Sequence, residues 1–447
     1  MNITLIGLLL KKKALLVAFL IVIMVGGSAL VTTLHLVKAQ TGTRVSGIID
    51  SDTIWTQTNS PYNLTGQVTV SSGTVLTIEA GVTINLNNYD LQVNGTLAAQ
   101  GTNKTQIIIN KELWPLMAPF QTVGITFNSS SAAWNEKTET GCIIQNAIGN
   151  GLTILMNNAS PIIVQTSGFN IEVNGGSPII SDNTPPSITV DDGSPTITNN
   201  SIIGYMGTEP GGGNFGLYLG GSNTAIVSDN NFYGVFNVQG AIVAGSGSPT
   251  IERNLITGNP KNKLFSAIGI AVYSARPLIK NNTITELAIG LNIYYDSQSN
   301  PPTVPPSPTI TENNFENNSE YNVYLGRFPN VYGLISPDVT AVNNWWGTTD
   351  ASIINQTIYD HKNNTNVGTV TFEPILTLPN PFAMPNPNSI IPAIIPSTTT
   401  SPSSTPAIPE FPSLLVILTV FIAVLLSIAV LVTVRKSKII KSSDAKM

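Results

Sequence analysis

Apolar and polar positions alternate with a period of two along much of this chain, but only over three to five residues at a time. Glycine, proline or asparagine breaks each run. Gly216-Leu-Tyr-Leu, Gly240-Ala-Ile-Val, Gly269-Ile-Ala-Val, Gly290-Leu-Asn-Ile and Asn322-Val-Tyr-Leu are one set of such runs. A period of two predicts short strands whose Leu217, Leu219, Ile270, Val272, Leu291, Ile293, Val323 and Leu325 point to one side. A second set ends on asparagine: Ile143-x-x-Asn146, Ile180-x-x-Asn183, Ile197-x-x-Asn200, Val227-x-x-Asn230, Ile251-x-x-Asn254, Ile279-x-x-Asn282, Ile310-x-x-Asn313 and Ala341-x-x-Asn344. Three of these open with Ser-Pro-Thr-Ile, at 194–197, 248–251 and 307–310. From Asn183 the steps are 17, 30, 24, 28, 31 and 31 residues, so a short constant phrase recurs and insertions of varied length separate its copies.

Self-similarity of this kind marks a chain that stacks one small unit many times. Each unit reads as a strand, a turn with Ser-Pro, a strand carrying the isoleucine, an asparagine turn and a third strand. Three short strands per coil, stacked in parallel, predict an all-β solenoid. The asparagines fall where the chain turns sharply, a place where Asn tolerates left-handed backbone angles. Stacked copies can also bond one another as a ladder of amides. The Asn column is therefore a structural element.

These phrases resemble the right-handed parallel β-helix superfamily, which includes pectate-lyase-like folds and NosD-type periplasmic proteins. Residues 73–102, GTVLTIEAGVTINLNNYDLQVNGTLAAQGT, look like the opening rungs of such domains, and 343–350, NNWWGTTD, with the strands near 358–360 and 370–374, look like a closing segment. The likeness implies a single-stranded right-handed parallel β-helix over 66–378. It implies no one activity, because such folds serve lyases, hydrolases, epimerases and adhesins. Pro409-Glu410-Phe411-Pro412, ahead of an apolar run and a basic tail, resembles the Pro-Glu-Phe sorting signal of archaeal surface proteins.

The two ends predict a location. Lys11, Lys12 and Lys13 precede an apolar run that closes on Val37-Lys38-Ala39, a signal peptide or amino-terminal anchor over 1–39. Residues 40–65 are expected to be a lead-in and cap. Residues 379–412 are dense in Pro, Ser and Thr and read as a stalk. The stretch 414–434 carries no charge, is about 31 Å long as a helix, and predicts a single membrane span within 413–435, ahead of a basic cytoplasmic tail at 436–447. The body would then lie outside the cell. Without the two ends it holds 11 Lys and Arg against 24 Asp and Glu, and it has no basic stripe, which disfavours a nucleic acid partner. Sequons occur at Asn63, Asn94, Asn103, Asn128, Asn158, Asn199, Asn281, Asn317, Asn355 and Asn363, candidate glycosylation sites on such a surface.

Candidate chemistry is sparse. Only 10% of residues are charged, Cys142 stands alone, and His35 and His361 are the two histidines. That excludes a disulfide within the chain and leaves His361 as the one histidine for a zinc site or a catalytic triad. Asp182, Asp191 and Asp192 could hold Ca²⁺ weakly, and no cofactor is firmly implied. Glu252, Arg253, Lys280 and Glu312 take comparable places after the Thr-Ile phrase and suit charge pairs between coils. Tyr218, Tyr273, Tyr294 and Tyr324 are expected in one outward column of one sheet, with Tyr295 beside them, as a platform for sugar rings. The sequence thus predicts a cell-surface β-helix with a structural or adhesive role, in contact with glycan or envelope material. The alternative is a polysaccharide lyase or glycoside hydrolase, which would need acids grouped in one groove.

Overall fold

The computed structural model describes residues 42–111, 122–150, 152–203, 215–235, 239–258, 267–295, 304–326 and 336–384. The chain divides into two units, Met1–Ile391 and Pro392–Met447, and all the described residues belong to the first. Among them the strands form parallel sheets of sixteen, eleven and five strands, with a two-stranded pair at the end. Strands adjacent in a sheet come from successive coils, so the three larger sheets form the wall of one solenoid, and the sixteen-stranded one turns a corner at Tyr62–Val70, which pairs with both Thr83–Asn85 and Leu91–Val93. At about 4.8 Å per strand, the eleven-stranded sheet is about 50 Å long.

The core follows from alternation. In the eleven-stranded sheet every strand adds a residue to one inward column, and Val75–Ile78 and Thr96–Gln100 each turn in a second, Leu76 and Leu97. Trp55, Ile78, Ala99, Ile144, Ile163, Ile180, Ile197, Val227, Ile251, Ile279 and Ile310 stand in one register and are all buried. In the five-stranded sheet the inward column is Ile202, Phe232, Ile256, Ile284 and Phe315. Leu217, Leu219, Ile270, Val272, Leu291, Ile293, Val323 and Leu325 enter the core from the sixteen-stranded sheet, as their spacing predicts. Burying each such side chain contributes roughly 1.5–3 kcal/mol.

Three expectations need correction. The supposed cap at 40–65 is the first coil, since Thr43–Ile49 pairs with Tyr62–Val70 and Thr53–Trp55 pairs with Val75–Ile78. The supposed stalk does not begin at 379, because residues 376–384 lie against the solenoid wall. Leu376 N–H donates to the Asn344 carbonyl and Asn380 N–H to Asn314 Oδ1. Finally, the column asparagines are not the left-handed residues. Positive φ falls one position earlier, on Asn146, Gln165, Asp182, Asn199, Asp229, Arg253, Asn281, Glu312 and Asn343, at 48–60°. Asn146 therefore belongs to the turn row. The strand register puts Ile144, not Ile143, opposite Ile163, which places Ala147 and Thr166 in the column that Asn183 continues.

At the carboxyl-terminal end the core is closed by Trp346, which stacks on Phe315 at 5.0 Å and meets Phe372 edge-on at 6.2 Å. Trp345 is half-buried and donates from Nε1 to Glu316 Oε1. Helix α1, Ala351–Gln356, is capped by Asp350, whose carboxylate accepts from Ser352 N–H at 2.8 Å. Asp360 fixes the loop behind it by accepting from Val370 N–H, Lys362 N–H and Lys362 Nζ. Burial pushes this carboxyl up, but the Lys362 side chain and the backbone donors outweigh burial and hold it below the usual carboxylate range.

The ends of the chain, the segments at 1–39 and 385–447 with Pro409, Glu410, Phe411 and Pro412, lie outside the described residues. Among the described residues no helix is long and apolar enough to cross a membrane.

Candidate functional site

The Asn column is a continuous buried ladder. Asn183, Asn200, Asn230, Asn254, Asn282, Asn313 and Asn344 are all at most 1% exposed. Each of the first six donates from backbone N and from Nδ2 to the Oδ1 of the next, at 2.9–3.0 Å. Each Nδ2 also reaches the carbonyl of the isoleucine or valine in the preceding coil. Above the ladder, Thr166 N–H and Oγ1 donate to Asn183 Oδ1. These amides are saturated by one another, which makes the row a support for the surfaces on either side.

The ladder lies at the corner between the eleven- and five-stranded sheets, and a first candidate surface lies away from it, on the outer face of the sixteen-stranded sheet. Tyr218, Val243, Ala271, Asn292, Tyr324 and Tyr359 share an outward column. Tyr273 and Tyr294 do not join it. They stand two residues beyond Ala271 and Asn292, past the strand ends, with their rings 5.4 Å apart. The tyrosines thus occupy one sheet in two columns, where one was expected. Nor is the face uniformly open: Val243, Ile268, Ala271, Ile289 and Tyr324 form a buried outer cluster. Tyr324 stacks on Tyr359 at 4.2 Å, and Tyr321 meets both edge-on. Burial, and then the Tyr359 and Tyr321 phenols, raise the Tyr324 hydroxyl above its ordinary value. Tyr218, Tyr273, Tyr294 and Tyr295 remain half-buried. Burial also raises Tyr218, helped by the charge of Asp191.

The acids are dispersed. Asp182 sits in the left-handed turn row, whereas Asp191 and Asp192 close the strand Ile188–Asp192 of the long sheet. Burial raises both Asp182 and Asp191. Among the described residues no three Asp, Glu, His or Cys side chains come together as a metal site would require. Arg253 pairs with Asp229 at 2.9 Å and with Glu252 at 2.6 Å, and Lys280 pairs with Glu252 at 3.1 Å, a network that runs between coils. Burial would raise Glu252, but Lys280 and Arg253 hold it below its ordinary value. Cys142 is buried, which pushes its thiol up. Among the sequons, Asn103, Asn158, Asn317, Asn355 and Asn363 are exposed. Asn63, Asn94, Asn128, Asn199 and Asn281 are half-buried in the turns and sheets.

The second surface escaped the sequence reading. Residues 376–384 run as a strap beside the five-stranded sheet, opposite in direction to the coils they pass. A groove of about 430 Å³ lies along the strap, lined by Asn281, Glu312, Leu376, Pro379, Asn380 and Phe382. Ala383 is fully buried, while Leu378 and Phe382 stay 73% and 74% exposed. Pro379-Asn380-Pro381, flanked by apolar residues, is the one cue in the sequence that this stretch differs from the Ser/Thr-rich tract after it.

Residues 180–358 match the family model described as "Right handed beta helix region". With the parallel sheets, that match makes the fold a right-handed β-helix. A search of the curated proteins finds no match.

Proposed function

We propose that the protein is a cell-surface β-helix with a structural or adhesive role, and that it contacts carbohydrate through the outer end of its long sheet. The Tyr273–Tyr294 pair carries this reading. Two half-buried rings 5.4 Å apart, held by adjacent coils just past the strands Ile268–Val272 and Ile289–Ile293, offer a preorganised edge for a pyranose ring. The five exposed sequons suit glycosylation of a surface body. The apolar segments at 1–39 and 413–435 suit export and anchoring, with Pro409–Pro412 as the processing signal and the basic tail inside the cell.

The test is a polysaccharide panel scored for binding and for chain shortening. Binding without shortening is expected. It should weaken about tenfold or more in the Tyr273→Ala/Tyr294→Ala double variant, by the usual worth of ring contacts. Unchanged binding in that variant would remove the tyrosine pair from the account. Shortened products would favour a lyase or hydrolase.

A further inference from the structure

The strap shows how this solenoid holds an extended peptide. The backbone N–H of Asn380 donates to Asn314 Oδ1 at 2.8 Å, and its Nδ2 donates to Asn281 Oδ1 at 2.9 Å. Asn314 Nδ2 returns a bond to the Asn380 carbonyl at 3.0 Å, and the Thr283 hydroxyl donates to the Ala383 carbonyl. Three places on the wall therefore do the work. Asn281 is the left-handed turn residue, Thr283 is the sheet residue two positions on, and Asn314 is the partner of Thr283 in the next coil.

Three coils earlier the same places hold Asn199, with φ of 56°, Ser201, and its partner Asn231. The chemistry repeats in order: amide, hydroxyl, amide. Between the two sets it fails, because the turn place holds Asp229 and then Arg253, and the sheet place holds Leu255. Asn199 Oδ1 and Asn231 Oδ1 are both buried and lack a hydrogen-bond partner. They are the counterparts of the two oxygens that Asn380 satisfies. A buried acceptor without a donor is uncommon in a folded protein and points to a ligand that supplies one. Ser201 also shares a hydrogen bond with the Tyr233 hydroxyl.

We propose that Asn199, Ser201 and Asn231 form a second peptide-docking site, which takes an extended Pro-Asn-Pro segment of another polypeptide as Asn281, Thr283 and Asn314 take Pro379-Asn380-Pro381. The flanking prolines fix the peptide near the extended conformation before it binds. The asparagine supplies both donors, one from its backbone and one from its side chain. Asn380 is committed to Asn281, Asn314 and the Glu312 carbonyl, so the second set is a place for a segment that the described chain does not provide.

The probe is a fluorescent peptide of the strap sequence, Leu-Pro-Asn-Pro-Phe-Ala-Met, titrated into the full chain and followed by anisotropy. Asn231→Leu copies the residue that the next coil carries at the same place, Leu255, Asn199→Gly removes the other acceptor at a position whose φ of 56° glycine adopts freely, and the unfolding midpoint checks that each variant folds. The expected result is saturable binding that falls about tenfold or more in either variant and with an Asn→Ala peptide. The proposal is overturned by absent binding, or by binding indifferent to both variants. It is equally overturned by binding that Asn314→Leu abolishes and Asn231→Leu does not, which would mean exchange with the strap. Binding that emerges only after deletion of 385–391 would also overturn it, by giving the site to the chain's own Pro385-Asn386-Pro387.

Discussion

The coils before residue 180 and those after it share one architecture but are tied together differently. In the later coils a buried amide ladder runs beneath one turn, and the outer face of the long sheet is aromatic and apolar. In the earlier coils the ladder's places hold Ala147 and Thr166. There the amide stacking moves to a half-buried row, where Asn85 donates to Asn63 at 2.7 Å, Asn110 to Asn85 at 3.0 Å, and Asn150 to Asn110. Their outer column reads Thr69, Gln92, Thr126, Leu155 and Glu172, where the later coils place Thr189, Tyr218, Val243, Ala271, Asn292, Tyr324 and Tyr359. Parallel stacking needs only the inward columns. The amide rows and outer faces are choices made on top of it, and the family match at 180–358 covers the half that chose the buried ladder.

Breaking the buried ladder should do the most damage. Asn254→Leu leaves the buried Asn230 N–H without its acceptor and takes the Nδ2 donor from the Val227 carbonyl and from Asn282 Oδ1, and should cost about 2–6 kcal/mol in chemical denaturation. A loss no larger than that of an exposed substitution would mean that the two halves do not differ in what holds them. Tyr324→Ala should rank next, at about 3 kcal/mol, because it empties a buried place between Tyr321 and Tyr359. The counterpart change in the earlier row, Asn85→Ala, exposes its orphaned partners to water and should cost about 1 kcal/mol.

Acid sharpens the comparison more gently. The ionised Asp360 stabilises the closing loop, and its folded value lies below the usual range. That contribution is complete above the ordinary carboxylate range and is lost as pH falls through the folded value. Hydrogen exchange at Val370 should therefore speed up in acid before exchange at the Asn230 and Asn254 amides does. Asp360→Asn should show the faster Val370 exchange already at neutral pH. The smallest effect is expected for Glu172→Ala in the earlier outer column, within about 0.5 kcal/mol.

How much of this was legible depended on whether a residue repeats its neighbours. Asn183, Asn200, Asn230, Asn254, Asn282, Asn313 and Asn344 share a flanking phrase, so their column can be read directly. Asn146 misled because Ile143 and Ile144 are both plausible anchors, and only pairing with Ile163 decides between them. The tyrosines misled because a strand of this length has room for one outward residue near its centre and another just past its end. Tyr218 takes the first place and Tyr273 the second, and nothing local distinguishes them. The Asn63, Asn85, Asn110 and Asn150 row has gaps of 22, 25 and 40 residues and no common phrase, so no period announces it. The strap was hidden for another reason. Its partners Asn281 and Asn314 lie 99 and 66 residues before Asn380, and its prolines run on into the proline-rich tract that follows.

Every rung of the buried ladder bonds to a copy of itself. Removing one coil, such as the 24 residues from Asn230 to Asn254, would bring Asn200 above Asn254 with the same donors and acceptors in place. The length of the molecule is thus free to drift by whole coils through duplication or deletion, while a change of a single residue within a coil is penalised at once.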